Sequence, residues 1–242
     1  MPTVGVKARA QKDKILLRWA VNQPMAWKIA NNYGFYVERV TVARDSHPLK
    51  NPEIIRLTNQ PLKPQPVSVF DKIALTNNQA AIIAEALYGK QFNVGMTNAD
   101  MTAVLTKNEE LIQRFTFSLM AADQNFEAAL LAGWAFVDST AKTNEKYVYR
   151  VFTAVPESKL KIDYASIFVG LSDFQELPPP IDVSASFGNK TVALSWNYAV
   201  HKNLYTAYFV EQSEDSINFK KVSDLPITNL ITKENESPSM MV

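Results

Sequence analysis

The 242-residue chain has no cysteine, only two histidines and only seven glycines. Without thiols it can hold no disulfide staple, no thiolate zinc site, no iron–sulfur cluster and no cysteine nucleophile. So little glycine leaves scant material for a phosphate-cradling loop, and no Gly-x-Ser-x-Gly or His-Glu-x-x-His motif occurs. His47 and His201 stand beside Pro48 and Lys202 in expected surface loops, with no partner at metal-ligand spacing. The expectation is therefore no catalytic residue, no metal and no cofactor. Long hydrophobic runs are missing too. The longest, Ala128 to Val137, has ten residues counting Gly133, about half of what a bilayer-spanning helix needs. It reads as a core segment, and no membrane insertion is expected. The opening Met-Pro-Thr-Val-Gly-Val-Lys has none of the features of a signal peptide. Charge of one sign is not in excess either, 25 Lys plus Arg facing 24 Asp plus Glu. What the chain does have is apolar residues, 47 % of the total, enough to bury one large core or two ordinary ones.

An internal repeat organises those residues. Val4-Gly-Val-Lys-Ala-Arg-Ala10 is matched 177 positions later by Ile181-Asp-Val-Ser-Ala-Ser-Phe187, and Lys14 to Trp19 is matched at the same offset by Thr191 to Trp196. Phe35-Tyr-Val-Glu-Arg39 answers Tyr208-Phe-Val-Glu-Gln212 at an offset of 173, so the first copy carries four extra residues in the loop before its third strand. Each copy is predicted to open with three β-strands, the first two joined by polar turns at 11–13 and 188–190. Period-2 alternation puts Ile15, Leu17 and Trp19 on one face, as it does Val192, Leu194 and Trp196.

The apolar-x-apolar-x-Trp strand, the third strand with Tyr36-Val-Glu-Arg39, and Lys146-Tyr-Val-Tyr-Arg-Val151 as a sixth strand resemble tandem fibronectin type III domains. The resemblance implies a mainly β protein with an α insertion, made of immunoglobulin-like β-sandwiches in tandem. It places Trp19, Trp196, Tyr147 and Tyr149 in the structural core, with Tyr147 at the tyrosine-corner position. The family's Leu-x-Pro lead-in to that corner is replaced by Asp138 to Glu145. It also implies a spacer, adhesion or interaction role, of the kind found in extracellular proteins and in bacterial surface and carbohydrate-active proteins. Neither an Arg-Gly-Asp nor a Trp-Ser-x-Trp-Ser motif is present.

A sandwich of this type takes on the order of 100 residues, yet the first copy runs from Val4 to about Ser172. The surplus is predicted to be helical. Thr76-x-x-Gln79 and Thr106-x-x-Glu109 are capping-box signatures, giving helices over about Asn77–Tyr88, Lys107–Ala122 and Asn125–Ala132. In the second of these, Ile112, Phe115, Leu119 and Ala122 form the apolar stripe. The insertion is expected at about 73–135, between the fourth and sixth strands and in place of a fifth. Before it, Pro52 to Phe70 reads as an edge strand and an extended crossing; after it, Lys159 to Leu171 reads as the closing strand. The expected division is a sandwich over 1–174, a Pro-rich linker over 175–180 and an incomplete second sandwich over 181–242. After Val222 only twenty residues remain, without a second Tyr-x-Tyr-Arg strand. The second copy is thus expected to belong to a longer protein, or to be completed by a partner.

The candidate partner-binding residues are Trp27, Met25, Lys28 and Tyr33, in or beside the long loop expected between strands two and three. An exposed aromatic there could anchor a protein or stack on a sugar; the simpler alternative is that Trp27 packs on the sandwich end or on the inserted helices. Trp134 and Phe136 read as the seal of the helices against the sheet. Glu109-Glu110 suits a helix N-terminus better than a catalytic pair, and Glu211, Glu214 and Asp215 read as a solvated turn, not a calcium loop. Asn189 and Asn235 fit the short glycosylation pattern. Residues 1–72 hold 12 basic and 5 acidic residues, a balance of +7, against 13 and 19 in 73–242, a balance of −6. Many of the basic residues alternate with core positions, so no nucleic acid is expected. The leading expectation is a non-catalytic interaction or structural module of a bacterial or phage surface, secreted or virion protein, partnered by a protein or by the rest of a longer chain. Alternatives are a carbohydrate-binding accessory module holding a glycan on Trp27 and an enzyme with its site between insertion and sandwich.

Overall fold

The computed structural model describes residues 1–90, 92, 107–202, 204–205, 207–223 and 226–228. The chain divides into two compact units, Met1–Gln175 and Glu176–Val242. Among the described residues 36 % are strand and 28 % helix, so the protein is mainly β, with antiparallel sheets and a few helices.

In the first unit β1 (Val4–Ala10) and β2 (Ile15–Val21) form a hairpin with Ala10 opposite Ile15. The next segment, expected as a loop, is a helix, α1 (Pro24–Tyr33). Pro24 suits the first turn, only Ile29 is β-branched, and Gly34 at φ 87 ends the helix with its N–H on the Ala30 carbonyl. Then come β3 (Phe35–Arg44) and β4 (His47–Arg56), joined by Asp45 and Ser46 with φ of 51° and 66°. Two such residues give a hairpin turn that matches strand twist. His47 is thus a strand residue, with Nδ1 2.7 Å from the Asp45 carbonyl oxygen. Pro48 and Pro52 are tolerated because β4 is an edge strand.

The helices begin earlier than expected, with α2 (Val67–Ala74), so only 57–66 is an extended crossing, where Leu62 bridges to Phe35. Asn77, and not Thr76, caps α3 (Asn78–Tyr88) by accepting from Ala80 N at 3.0 Å; Gln79 instead reaches Gln124. Thr106, the other expected cap, lies outside the described residues. α4 (Lys107–Gln124) buries Leu111, Ser118, Ala121 and Ala122, whereas Ile112 is 44 % exposed. Its contact face is rotated from the expected stripe because the small Ser118, Ala121 and Ala122 allow close approach of neighbouring helices. α5 (Phe126–Leu131) is capped by Asn125. The helices do not replace a fifth strand. β5 (Ala135–Asp138) follows them and pairs with β2, Phe136 opposite Leu17. β6 (Glu145–Thr153) and β7 (Ala165–Val169) complete the unit, β7 being shorter than expected because Lys159 and Leu160 turn back onto the Pro156 carbonyl.

Among the described residues of this unit two sheets result, β1-β2-β5 and β4-β3-β6-β7. Inward alternation gives one core containing Ile15, Leu17, Trp19, Phe35, Val37, Tyr147, Tyr149 and Val151, with Ile83, Ala122 and Trp134 from the insertion and its exit. Trp19 of β2 meets Phe35 of β3 with ring centroids 5.9 Å apart.

The second unit opens with β8 (Ile181–Phe187) and β9 (Val192–Asn197). From Ser184 onward their pairing reproduces the register of β1 and β2, Ala185 facing Leu194 as Ala8 faces Leu17, and it shifts by one residue before Ser184, where Ile181 faces Asn197. The third strand, expected over Tyr208–Gln212, is broken into β10 (Ala207–Tyr208) and β11 (Glu211–Gln212), paired with β13 (Ile227–Thr228) and β12 (Lys220–Lys221) respectively. Trp196 is half-buried here, 5.2 Å from Tyr208.

Candidate functional site

The four residues singled out for binding do not form one platform. Trp27 is 3 % exposed and faces inward, 6.0 Å from Phe115 of α4 and 5.9 Å from Trp134. Met25 and Lys28 are exposed on the same helix, and Tyr33 is half-buried under Lys159, whose Nζ donates to its hydroxyl at 3.1 Å. Residues two apart on a helix point about 200° apart, so a helix that buries Trp27 must expose Met25. A glycan platform on Trp27 is thereby corrected to a core contact with the inserted helices. Trp134 is likewise buried, its Nε1 donating to Asn31 Oδ1 at 2.8 Å.

The chemistry-bearing cluster of the unit is one that motif and spacing did not single out. Asp138 ends β5 with a buried carboxylate that accepts from Arg39 Nη1 and the Tyr149 hydroxyl, each at 2.7 Å, and from Thr140 N at 2.9 Å and Thr140 Oγ1 at 2.7 Å. Beside it Glu145 accepts from the Tyr147 hydroxyl at 2.8 Å and Arg44 Nε at 2.7 Å. The Tyr147 hydroxyl in turn accepts from the Lys142 N–H at 2.7 Å. The Arg39 guanidinium lies over the Tyr147 ring, 4.7 Å from its centroid. A signal was present in the sequence. Glu145 shares inward parity with Tyr147, Tyr149 and Val151, and Arg39 shares it with Phe35 and Val37. A charge at an inward position demands a partner.

Burial works against ionisation of both carboxylates. Hydrogen bonds from Thr140, Tyr149 and Arg39 outweigh it at Asp138, and those from Tyr147 and Arg44 outweigh it at Glu145, so both are held below their ordinary range. Burial, with the neighbouring Glu145, pushes Tyr147 up to about 12, and burial with Asp138 pushes Tyr149 up as well. A general acid needs a raised carboxyl pKa; these two are depressed and their oxygens are occupied. The cluster ties β5 in one sheet to β3 and β6 in the other. Among the described residues no group of three or more His, Asp or Glu side chains is arranged to hold a metal ion. Asp215 closes its own turn by accepting from the N–H groups of Ile217 and Asn218.

A more accessible arrangement lies on the outward face of the four-stranded sheet. Cross-strand pairing sets Arg56, Glu38, Arg150 and Ser166 in one row, Ile54, Val40, Val148 and Phe168 in the next, and Tyr36 beside Phe152. Arg56 bonds Glu38 at 3.0 Å and stacks over Tyr36 and Phe152 at 4.7 and 5.3 Å. Past β6, residues 153–164 wall a groove of about 510 Å³ lined by Arg150, Phe152, Glu157, Lys161, Asp163 and Tyr164. Tyr164 is 62 % exposed and Phe168 59 %. Aromatics interleaved with charges of both signs suit contact with another polar-apolar surface.

No family model matches the chain, and no curated protein matches it.

Proposed function

We propose that the chain is a non-catalytic protein-interaction or structural module, built on fibronectin type III-like β-sandwiches in tandem, the first enlarged by the helical insertion. The observation that carries the non-catalytic reading is the saturation of Asp138 and Glu145: the two buried carboxylates among the described residues of the unit are consumed in holding strands together. The sandwich reading is supported by sheets of three and four antiparallel strands sharing one core, by the Trp19–Phe35 contact between them, and by the Tyr147 hydroxyl turned back to the backbone five residues upstream. Interaction is assigned to the outward sheet face with Arg56, Tyr36, Phe152 and Phe168. The surface or secreted setting is taken from the family resemblance, and the bacterial or phage source from the absence of cysteine.

Two measurements test this. Nuclear Overhauser contacts between the Trp19 indole and the Phe35 ring are expected, and their absence would remove the sandwich. A hydrolytic activity abolished by Asp138→Asn in a folded chain would overturn the non-catalytic reading.

A further inference from the structure

We infer that the second unit is the front half of a sandwich whose uncovered face receives three strands of the β5, β6 and β7 type, supplied by a polypeptide segment other than residues 1–242. The inference rests on the tandem-sandwich reading and starts from the uncovered face. In the first unit Ile15, Leu17 and Trp19 are at most 1 % exposed. Their equivalents in the repeat are less covered: Val192 is 49 % exposed, and Leu194 and Trp196 are half-buried. Val183 and Phe187, at the places of Val6 and Ala10, are 60 % and 83 % exposed.

The hydrogen-bonding edges agree with the apolar face. In the first unit β2 pairs with β1 on one side and β5 on the other, and β3 pairs with β4 and β6. Among the described residues β9 pairs with β8 alone, while β10 and β11 pair with β13 and β12 alone. Both open edges fall where the first unit has its rear strands. The occupant's chemistry follows: alternating apolar strands, one with two inward aromatics two residues apart, as Tyr147 and Tyr149 stand in β6.

Two other sources are disfavoured. The rear strands of the first unit take 4, 9 and 5 residues, and residues 229–242, with their polar run Thr232 to Ser239 and its Pro238, have no such alternating sequence. In a second copy β6 is already bonded on both sides, to β3 and β7, so that copy offers only another front half.

Hydrogen exchange on the 1–242 chain is the test. Amides of β8 to β11 are expected to exchange within about tenfold of unstructured peptide, against more than about a thousandfold slower in β2, β3 and β6. Val192→Ser is expected to leave thermal unfolding unchanged, whereas Ile15→Ser, its equivalent, unfolds the first unit. Residues 133–172 joined behind Val242 serve as the probe strands. They should slow exchange in β9 to β11 at least about tenfold, and Tyr147→Ser with Tyr149→Ser in the added copy alone should abolish the slowing. Strong protection of β8 to β11 in the monomeric, unextended chain would overturn the inference. So would protection that appears only with concentration-dependent dimerisation, or no slowing with the added strands. Loss of the Trp19–Phe35 contact, measured separately in the first unit, would identify failure of the sandwich reading itself.

Discussion

Asp138→Asn is the most informative single change. The Asp138 carboxylate is 1 % and the Arg39 side chain 8 % exposed, with 2.7 Å between them. Neutralising one partner leaves the other charge buried, which typically costs about 3–5 kcal/mol, and leaves the Tyr149 hydroxyl with a poorer acceptor. Against a total stability of about 5–15 kcal/mol for a domain, this is a large fraction. For a unit of this size it corresponds to a fall in Tm of roughly 10 °C. Urea titration followed by tryptophan fluorescence reads it, because Trp19, Trp27 and Trp134 are all buried in the same unit. The double change Arg39→Met with Asp138→Leu removes both charges and should recover most of the loss, since replacing a whole buried pair by apolar groups is often close to neutral. The pH dependence has a defined sign. The folded carboxyl sits below its unfolded value, so its contribution is present above the unfolded value of about 4 and is lost as pH falls through the folded one. Wild type and Asp138→Asn should therefore converge in acid. A loss below about 1 kcal/mol at neutral pH, or a double variant no more stable than the single one, would refute this account of the pair.

Tyr147, raised to about 12, gives the opposite limb. Its contribution is complete below the unfolded value of about 10 and is lost as pH rises through the folded value, so phenolate absorbance should show delayed ionisation followed by cooperative alkaline unfolding. Trp27→Ala should destabilise the first unit by about 3–5 kcal/mol in thermal melts; an unchanged Tm would mean that its contacts with Phe115 and Trp134 do not hold the insertion. Gly133→Ala places a Cβ 2.7 Å from the Lys63 carbonyl carbon at a φ of 69° and should cost at least about 1–2 kcal/mol, while Gly5→Ala, whose Cβ would meet its nearest neighbour at 3.9 Å, serves as the near-neutral control. Arg114 donates to the carbonyls of Glu85, Ala86 and Gly89 at 2.8 to 3.0 Å, so Arg114→Leu should speed amide exchange in the last turn of α3 without touching β2 or β6.

Taken with its surroundings, the Arg39–Asp138 pair has a structural role that suits a chain without cysteine. A bond between sheets is supplied by a charge-assisted hydrogen bond joining residues 99 positions apart. Such a pair gives geometric specificity more than net stability, which is why its removal is expected to hurt more than its replacement by an apolar pair.

Much of the fold was legible because it depends on neighbours along the chain. Alternation in Ile15-Leu-Leu-Arg-Trp19 and in Tyr147-Val-Tyr149 reports strands and their inward faces, the repeat offset reports the hairpin register shared from Ser184 onward, and the spacing in Asn77–Tyr88 and Asn125–Ala132 reports helices to within a residue or two. Tertiary contact decided the rest. Whether Pro24–Tyr33 is loop or helix, and whether Trp27 looks out or in, depends on Phe115 and Trp134, roughly 90 to 110 positions away. Ile112 left the stripe because the neighbouring helices approach on the small residues of α4, which periodicity alone does not weigh. Asp138 read as the polar end of an apolar run until folding brought Arg39 and Tyr149 onto its oxygens. Local pattern fixes which backbone shape a segment prefers and which residues share a face. Only the packing of distant segments decides which face is covered, and therefore which charged groups must find their partners inside.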